Sequence, residues 1–275
     1  MDLDLDGRVV AITGGTDGLG LALAERLVAE GARVAVCGRD EGRVEAVRAA
    51  PWAAGRTDRV LAISADVTRP DDLERFADAV RSAWGRVDGL VNNAGAARAA
   101  AFGDASDADW QADIDLKLLA AVRLTRALLP DLRASGAPAG PPGPGATAGA
   151  GASVLNVLSV TAKAPPARSV PTSVTRAAGL ALTKALASEV GGDGVRVNAV
   201  CVGLVESGQW RRRAEARGVP LATMLDELAG SADVPLGRVG RAQEFADLAA
   251  YLLSPRSSYV TGTAINLDGG MSPVP

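Results

Sequence analysis

One stretch near the start of the chain limits the fold more than any other. An apolar run, Val9-Val10-Ala11-Ile12, passes directly into Thr13-Gly14-Gly15-Thr16-Asp17-Gly18-Leu19-Gly20 and then into residues with apolar positions at helical spacing. That is a strand, a glycine turn and a helix start. Glycines at such a junction let backbone N–H groups come close to a pyrophosphate while the helix N-terminus supplies positive partial charge, so the arrangement suits a dinucleotide. Gly-rich turns also serve as plain connectors; the strand before and the helix after give this one its ligand reading.

The rest of the chain repeats the alternation. Leu21 to Glu30 reads as a helix stopped by Gly31, and Arg33 to Cys37 as a short apolar strand of the kind buried in a parallel sheet. Helices are expected over Glu41 to Ala50, Pro70 to Trp84, Asp107 to Leu132, Val170 to Val190 and Arg241 to Leu253. Further strands are expected at Arg59 to Ala65, Gly89 to Val91, Val154 to Leu158, Val195 to Val200 and Thr263 to Leu267. The expectation is an α/β protein, a single doubly wound Rossmann domain over residues 1–275 with a seven-stranded parallel sheet flanked by helices. Between Ser135 and Ala152 the composition turns to Gly, Ala and Pro, which have little to bury, so a flexible loop is expected there.

In a dinucleotide-binding fold the residue after the second strand faces the adenosine ribose. A carboxylate there bonds the 2′-hydroxyl, and an arginine accommodates a 2′-phosphate. Here the strand ends in Gly38-Arg39-Asp40, so Arg39 favours NADP(H) over NAD(H), while Asp17 in the glycine turn is placed to repel the same phosphate.

Several function classes are set aside by composition. The net charge is −3 with the basic residues spread out, which offers no footprint for nucleic acid or an anionic membrane. The N-terminus is acidic where a signal peptide is basic, and no apolar run approaches a membrane span, so a cytoplasmic protein is expected. Cys37 and Cys201 read as small buried apolar residues, Cys201 lying at the sheet edge where ligands bind. The chain has no histidine, which excludes a histidine triad and histidine-ligated zinc, and no metal site is expected.

The turn Thr13-Gly14-x-x-x-Gly18-x-Gly20 resembles that of the short-chain dehydrogenase/reductase family. Asn92-Asn93-Ala94-Gly95 after the fourth strand, Ala65-Asp66-Val67 after the third, Arg196-Val197-Asn198-Ala199-Val200 in the sixth, and Thr261-Gly262 with Asp268-Gly269-Gly270 match further family landmarks in family order. The resemblance implies a nicotinamide dinucleotide held by Gly14, Thr16, Asp17, Gly18, Leu19, Gly20, Arg39, Asp66, Val67, Asn93, Ala94, Gly95, Arg176, Gly203, Val205 and Ser207. Ser207 stands where the family has a threonine that bonds the nicotinamide amide. It also implies a small-molecule substrate under a lid at about 204–232, and a homodimer or homotetramer. In the family the helix over Asp107 to Leu132 packs against its mate in a second subunit, and Leu116, Leu119, Ala120 and Leu124 fall on one face of it.

The family's usual catalytic set is a serine, a tyrosine thirteen residues later, a lysine four residues after that, and an asparagine on the preceding long helix. Ser159 stands at the serine position, but Thr172 replaces the tyrosine, Arg176 the lysine and Lys117 the asparagine; the only tyrosines, Tyr251 and Tyr259, lie far downstream. A threonine hydroxyl is a far weaker acid than a phenol, and an arginine does not pass protons at neutral pH. Lys117, with its pKa depressed by burial and by the Arg176 charge, is the expected replacement acid/base. Ser159 then orients the substrate oxygen, and Arg176 holds the cofactor ribose or an anionic group. The pattern resembles a subgroup similar to 3-oxoacyl-carrier-protein reductases with a substituted tetrad. An oxidoreductase acting on a carbonyl, alcohol or imine is the leading expectation. The alternatives are a redox-neutral isomerase, cyclase or dehydratase reusing the cleft, and a non-catalytic dinucleotide-binding partner subunit.

Overall fold

The structure is a computed structural model that describes residues 2–136 and 151–275. Nine strands occur among them in chain order: β1 Val9–Thr13, β2 Arg33–Gly38, β3 Val60–Ser64, β4 Gly89–Asn92, β5 Ala99–Ala100, β6 Ala152–Ser159, β7 Val170–Pro171, β8 Val195–Val202 and β9 Ala264–Leu267. Seven form one parallel sheet in the order β3-β2-β1-β4-β6-β8-β9. The α-helices are α1 Gly18–Ala29, α2 Glu41–Ala49, α3 Pro70–Trp84, α4 Asp107–Ile114, α5 Ala120–Gly136, α6 Thr172–Val190, α7 Gly208–Arg217, α8 Leu221–Ser231 and α9 Ala242–Leu253.

The near-continuous apolar strands are explained by cover on both faces. Side chains alternate across a strand. In β1, Val10 and Ile12 enter a core with Leu23, Leu27, Phe245 and Ala249 of α1 and α9, while Val9 and Ala11 enter a second core with Phe76, Leu124 and Leu128 of α3 and α5. All five residues of β1 are buried. From β1 the chain builds outward through β2 to β3, then crosses to start β4 on the other side of β1. That reversal leaves a crevice at the carboxyl ends of β1 and β4, where helix connections diverge to opposite faces.

The expected helix over Asp107 to Leu132 is present, but not as one regular helix. It opens on a capping box between Ser106 and Asp109, and its middle, Asp115–Leu119, is a π-helical turn joining α4 to α5. Such a turn inserts extra chain into the helix and re-aims the side chains it carries, here including Lys117. Of the apolar stripe on this helix, Ala120 and Leu124 are buried in the core under the sheet, while Leu116, which packs against that core, and Leu119 are partly buried. The helix expected from Val170 starts at Thr172, because Val170 and Pro171 pair antiparallel with Ala100 and Ala99. The lid segment forms α7 and α8, parted by Gly218 at φ 66°. Of the Gly/Ala/Pro-rich stretch expected as a loop, residues 137–150 lie outside the described residues, Gly136 ends α5 and Ala152 begins β6.

Candidate active site

The crevice at the ends of β1 and β4 is a cleft of about 760 Å³, within the usual range for small-molecule sites. Its floor is the glycine turn. Gly14 and Gly18 take φ of 64° and 55°, the left-handed region open to glycine, and a Cβ on Gly14 would lie 3.0 Å from Ala94 Cα. Gly20 seats α1 against the turn, since a Cβ there would be 2.4 Å from the Gly14 carbonyl oxygen. Asn93 holds the turn from β4: its Nδ2 donates to the carbonyls of Thr13 at 2.9 Å and Gly14 at 3.0 Å. Thr13 Oγ1 in turn accepts from the N–H groups of Asn93 at 3.0 Å and Ala94 at 3.1 Å. Asp17 makes no side-chain cap to α1, so the first N–H groups of that helix face the cleft with the positive end of its dipole.

These residues fit a dinucleotide. Ser207, packed against Gly18 of the turn, has a buried hydroxyl with no hydrogen-bond partner among the described residues, as expected of a group that completes its bonding on a ligand. Next to it, where a Cβ on Gly208 would lie 2.2 Å from Asp17 Oδ2, the charge of the Asp17 carboxylate is balanced: its Oδ2 accepts from Arg43 Nη1 of α2 at 3.1 Å and from Arg212 Nη1 of α7 at 2.9 Å. Arg39 and Arg213 line the same cleft. Helix α7 is anchored by Trp210, which is buried, donates from Nε1 to the Val205 carbonyl at 3.0 Å and carries the Arg213 guanidinium over its ring.

On the far wall, Ser159 ends β6 and its Oγ accepts from Thr161 N–H at 3.3 Å and Thr161 Oγ1 at 3.1 Å. Thr172 is the first residue of α6, and Arg176 follows one turn later, with Nη1 donating to the Val157 carbonyl at 2.8 Å. Arg176 Nη2 lies where a side chain on residue 95 would be, 2.4 Å from a Cβ built on Gly95, so that glycine makes room for the guanidinium. Burial lowers Arg176 to about 10, with Asp113 opposing, which leaves it charged at neutral pH. The Lys117 side chain has no solvent exposure. Its Nζ donates to Asp113 Oδ1 at 2.5 Å and to Thr172 Oγ1 at 2.7 Å. Thr172 Oγ1 in turn donates to the Arg98 carbonyl at 3.0 Å and accepts from the Arg98 N–H at 3.3 Å. Burial lowers the Lys117 pKa to about 8; the hydrogen bond and charge of Asp113 oppose this, and the charges of Arg176 and Arg98 add to it. A lysine so placed can exchange a proton through the threonine hydroxyl, which relays it without itself being a strong acid.

Most of the expected residues border the cleft: Gly14, Thr16, Asp17, Gly18, Leu19, Arg39, Val67, Asn93, Ala94, Gly95, Ser159, Thr172, Arg176, Gly203, Val205 and Ser207. Three do not. Gly20 serves packing, as above. Asp66 is turned into its own loop, where Oδ1 accepts from Thr68 N–H at 3.0 Å and Thr68 Oγ1 at 2.8 Å, and Ala65 lines the cleft instead. Lys117 lies behind Thr172 rather than opening toward the nicotinamide end beside Arg176, because the π turn points it into the contact between α4 and α6. Sequence reasoning missed Asp113, Thr175, Arg98, Arg43 and Arg212. Of these only Asp113 carried a signal, an acid four residues before a lysine on one helix. Cys37 and Cys201 are free and buried, and burial pushes the Cys37 thiol up to about 12. Among the described residues no His/Cys/Asp/Glu cluster could hold a metal, and no helix is long and apolar enough to cross a membrane.

Comparison with known proteins agrees with this geometry. A family model described as enoyl-(acyl carrier protein) reductase matches residues 14–272. An uncharacterized oxidoreductase of Mycobacterium bovis is 33% identical over 97% of this chain and 97% of its own. The 3-oxoacyl-[acyl-carrier-protein] reductase of Escherichia coli is 29% identical over 98% of this chain and 99% of its own. Among solved structures, a short chain oxidoreductase from Pseudomonas aeruginosa PAO1, described as containing an atypical catalytic center, is 37% identical, with full coverage of both chains and a TM-score of 0.88. Its NADPH-bound form is 36% identical over 98% of this chain and 99% of its own, with a TM-score of 0.85. With the glycine turn, the switch-point cleft and matches of this length, the chain belongs to the short-chain dehydrogenase/reductase family, as an NAD(P)-dependent oxidoreductase with 3-oxoacyl-carrier-protein reductases among its relatives.

Proposed function

We propose that this oxidoreductase reduces a carbonyl group, or the related imine, of a small molecule with NADPH, and that Lys117 supplies the proton through Thr172. The observation that carries the reading is the 2.7 Å hydrogen bond from Lys117 Nζ to Thr172 Oγ1, placed where the family keeps its acidic tyrosine. The dinucleotide supplies a hydride to the carbonyl carbon when bound. Ser159 holds the carbonyl oxygen and biases its charge. Thr172 turns its hydroxyl from the Arg98 carbonyl to that oxygen, gives up its proton there and takes one from Lys117 Nζ. Arg176 remains a fixed cation that binds the ribose and favours the oxygen charge developing in the reaction. Lys117 regains its proton through Thr172, its hydrogen-bond partner that borders the cleft, after product leaves.

NADP(H) is preferred over NAD(H) in this reading. Asp17 is held by two guanidiniums, and Arg39 and Arg213 add further positive charge to the cleft, so a 2′-phosphate meets net cation rather than bare carboxylate.

The test is single-turnover transfer of deuterium from 4-deuterated NADPH to a panel of ketones, aldehydes and imines, in the unaltered protein and in Lys117→Met and Thr172→Val. Stereospecific transfer that both substitutions suppress supports the reading. Transfer that survives both with an undiminished rate refutes the proton route, and tight NADPH binding with no transfer across the panel refutes the reduction.

A further inference from the structure

Asp113 is the carboxylate that accepts directly from Lys117 Nζ. It sits in the last turn of α4 with no solvent exposure, and both of its oxygens are engaged. Oδ1 accepts from Lys117 Nζ at 2.5 Å and Oδ2 from Thr175 Oγ1 at 2.6 Å. Lys117 lies on the π turn that continues the same helix, whereas Thr175 lies on α6 between Thr172 and Arg176. One side chain therefore fixes the lysine and the helix that carries its hydroxyl partner in a common frame.

The charges around the lysine explain why a carboxylate is needed there. From its own helix it meets Asp113. From α6 it faces the Arg176 guanidinium and the Thr172 hydroxyl, and from the segment between β4 and β5 the Arg98 charge. Two cations and a dry surrounding both favour the neutral amine. Asp113 is the only anion in the set, and a buried ammonium without it would be left between like charges.

We propose that Asp113 is a positioning residue that keeps the Lys117 ammonium charged and aimed at the Thr172 hydroxyl, which sets the resting site as a proton donor and therefore for reduction rather than alcohol oxidation. This rests on the reading that Lys117 supplies the proton. The balance is that of carbonyl reduction: a hydride from the reduced dinucleotide forms the C–H bond, the C=O π pair goes to oxygen, and the proton that leaves Lys117 through Thr172 completes the hydroxyl. Asp113 keeps its charge throughout and gains no proton.

The chain has three lysines, Lys117, Lys163 and Lys184, so selective ¹³Cε-lysine labelling yields a spectrum in which Lys117 is the resonance lost in Lys117→Met. Its shift against pH reads protonation directly, with or without a substrate. In the unaltered protein the midpoint is expected near 8, an ammonium at neutral pH. In Asp113→Asn it is expected to fall by about one pH unit or more, and the alkaline fall of kcat/KM for reduction is expected to move down with it. A Lys117 already neutral at pH 7 in the unaltered protein overturns the proposal, and that arm stands even where Asp113→Asn does not fold. A folded Asp113→Asn with lower melting temperature and an unmoved midpoint also overturns it, since that is the mark of a purely structural pair. Absence of carbonyl reduction sinks the proposed reaction alone, and the lysine titration still decides the role of Asp113.

Discussion

Arg212 of helix α7 donates to Asp17 of the glycine turn at 2.9 Å, across 195 residues of sequence, and Arg43 reaches the same oxygen at 3.1 Å. Helix α7 is thus latched to the glycine turn by an acid that two arginines share. A 2′-phosphate is a stronger acceptor for guanidinium than a half-exposed carboxylate. Arg43→Ala and Arg212→Ala are each expected to weaken NADPH roughly fivefold while leaving NADH nearly unchanged. Asp17→Asn is expected to tighten NADPH. Fluorescence titration of both cofactors at low and physiological salt checks this, and an equal loss for NADH and NADPH in Arg212→Ala contradicts it. Hydrogen exchange over residues 208–231 should quicken in Arg212→Ala, because the latch ties α7 down.

Thr172→Val keeps the shape of the side chain and removes the hydroxyl that joins Lys117 to the cleft. Turnover is expected to fall about 10²- to 10³-fold with the NADPH dissociation constant changed little, as for loss of a positioned proton relay. Circular dichroism and cofactor titration beside the rate measurement separate this from misfolding.

The pH dependence has a fixed sign. In the proposed reaction the proton comes from the Lys117 ammonium, which is half titrated near 8 and lost above it, so kcat/KM should decline on the alkaline side with that midpoint. Stability responds the other way. The folded state sheds the proton near 8 and the unfolded chain near the ordinary lysine value of 10.5, so between these the unfolded state binds more protons and this group makes the fold more stable as pH rises. The difference in melting temperature between the unaltered protein and Lys117→Met, followed from pH 8 to 10, measures that contribution.

Removing one partner of the buried pair should cost more than removing both. Lys117→Met leaves Asp113 charged and buried and is expected to destabilise by about 3–5 kcal/mol, whereas Lys117→Met with Asp113→Leu should recover much of this. Urea denaturation of the two variants gives the comparison, and equal losses would argue that Asp113 is not ionised in the folded protein.

Gly20→Ala tests the turn itself. Its Cβ would stand 2.4 Å from the Gly14 carbonyl oxygen and 2.5 Å from Asn93 Nδ2, so either α1 or the turn must shift. An affinity loss of at least about tenfold for both cofactors is expected, with a stability loss of about 1–3 kcal/mol. Retained binding by calorimetry would contradict the packing role.

The layered fold was legible in the sequence because its signals are local. The apolar runs at Val9 to Ile12 and Arg33 to Cys37 have a continuous pattern that only cover on both sheet faces explains, and the glycine turn between Thr13 and Gly20 fixes where the crevice opens. Asp66 and Lys117 were misplaced for a reason of the opposite kind. Asp66 has Thr68 two residues on as a competing partner for its carboxylate. Lys117 sits on a π turn, and a helix whose period changes in the middle aims its side chains where regular spacing does not.

What the sequence determined by itself was the alternation of the seven sheet strands with helices and the glycine turn at which the cleft opens, since both follow from local spacing along the chain. Only the tertiary structure decided which charges meet. Asp17 found Arg43 and Arg212, and Asp113 found Thr175 62 residues away. The protonation state of Lys117 depends on its burial and on Asp113, Arg176 and Arg98 together, and fields of that kind exist only once separate elements pack around one point in space.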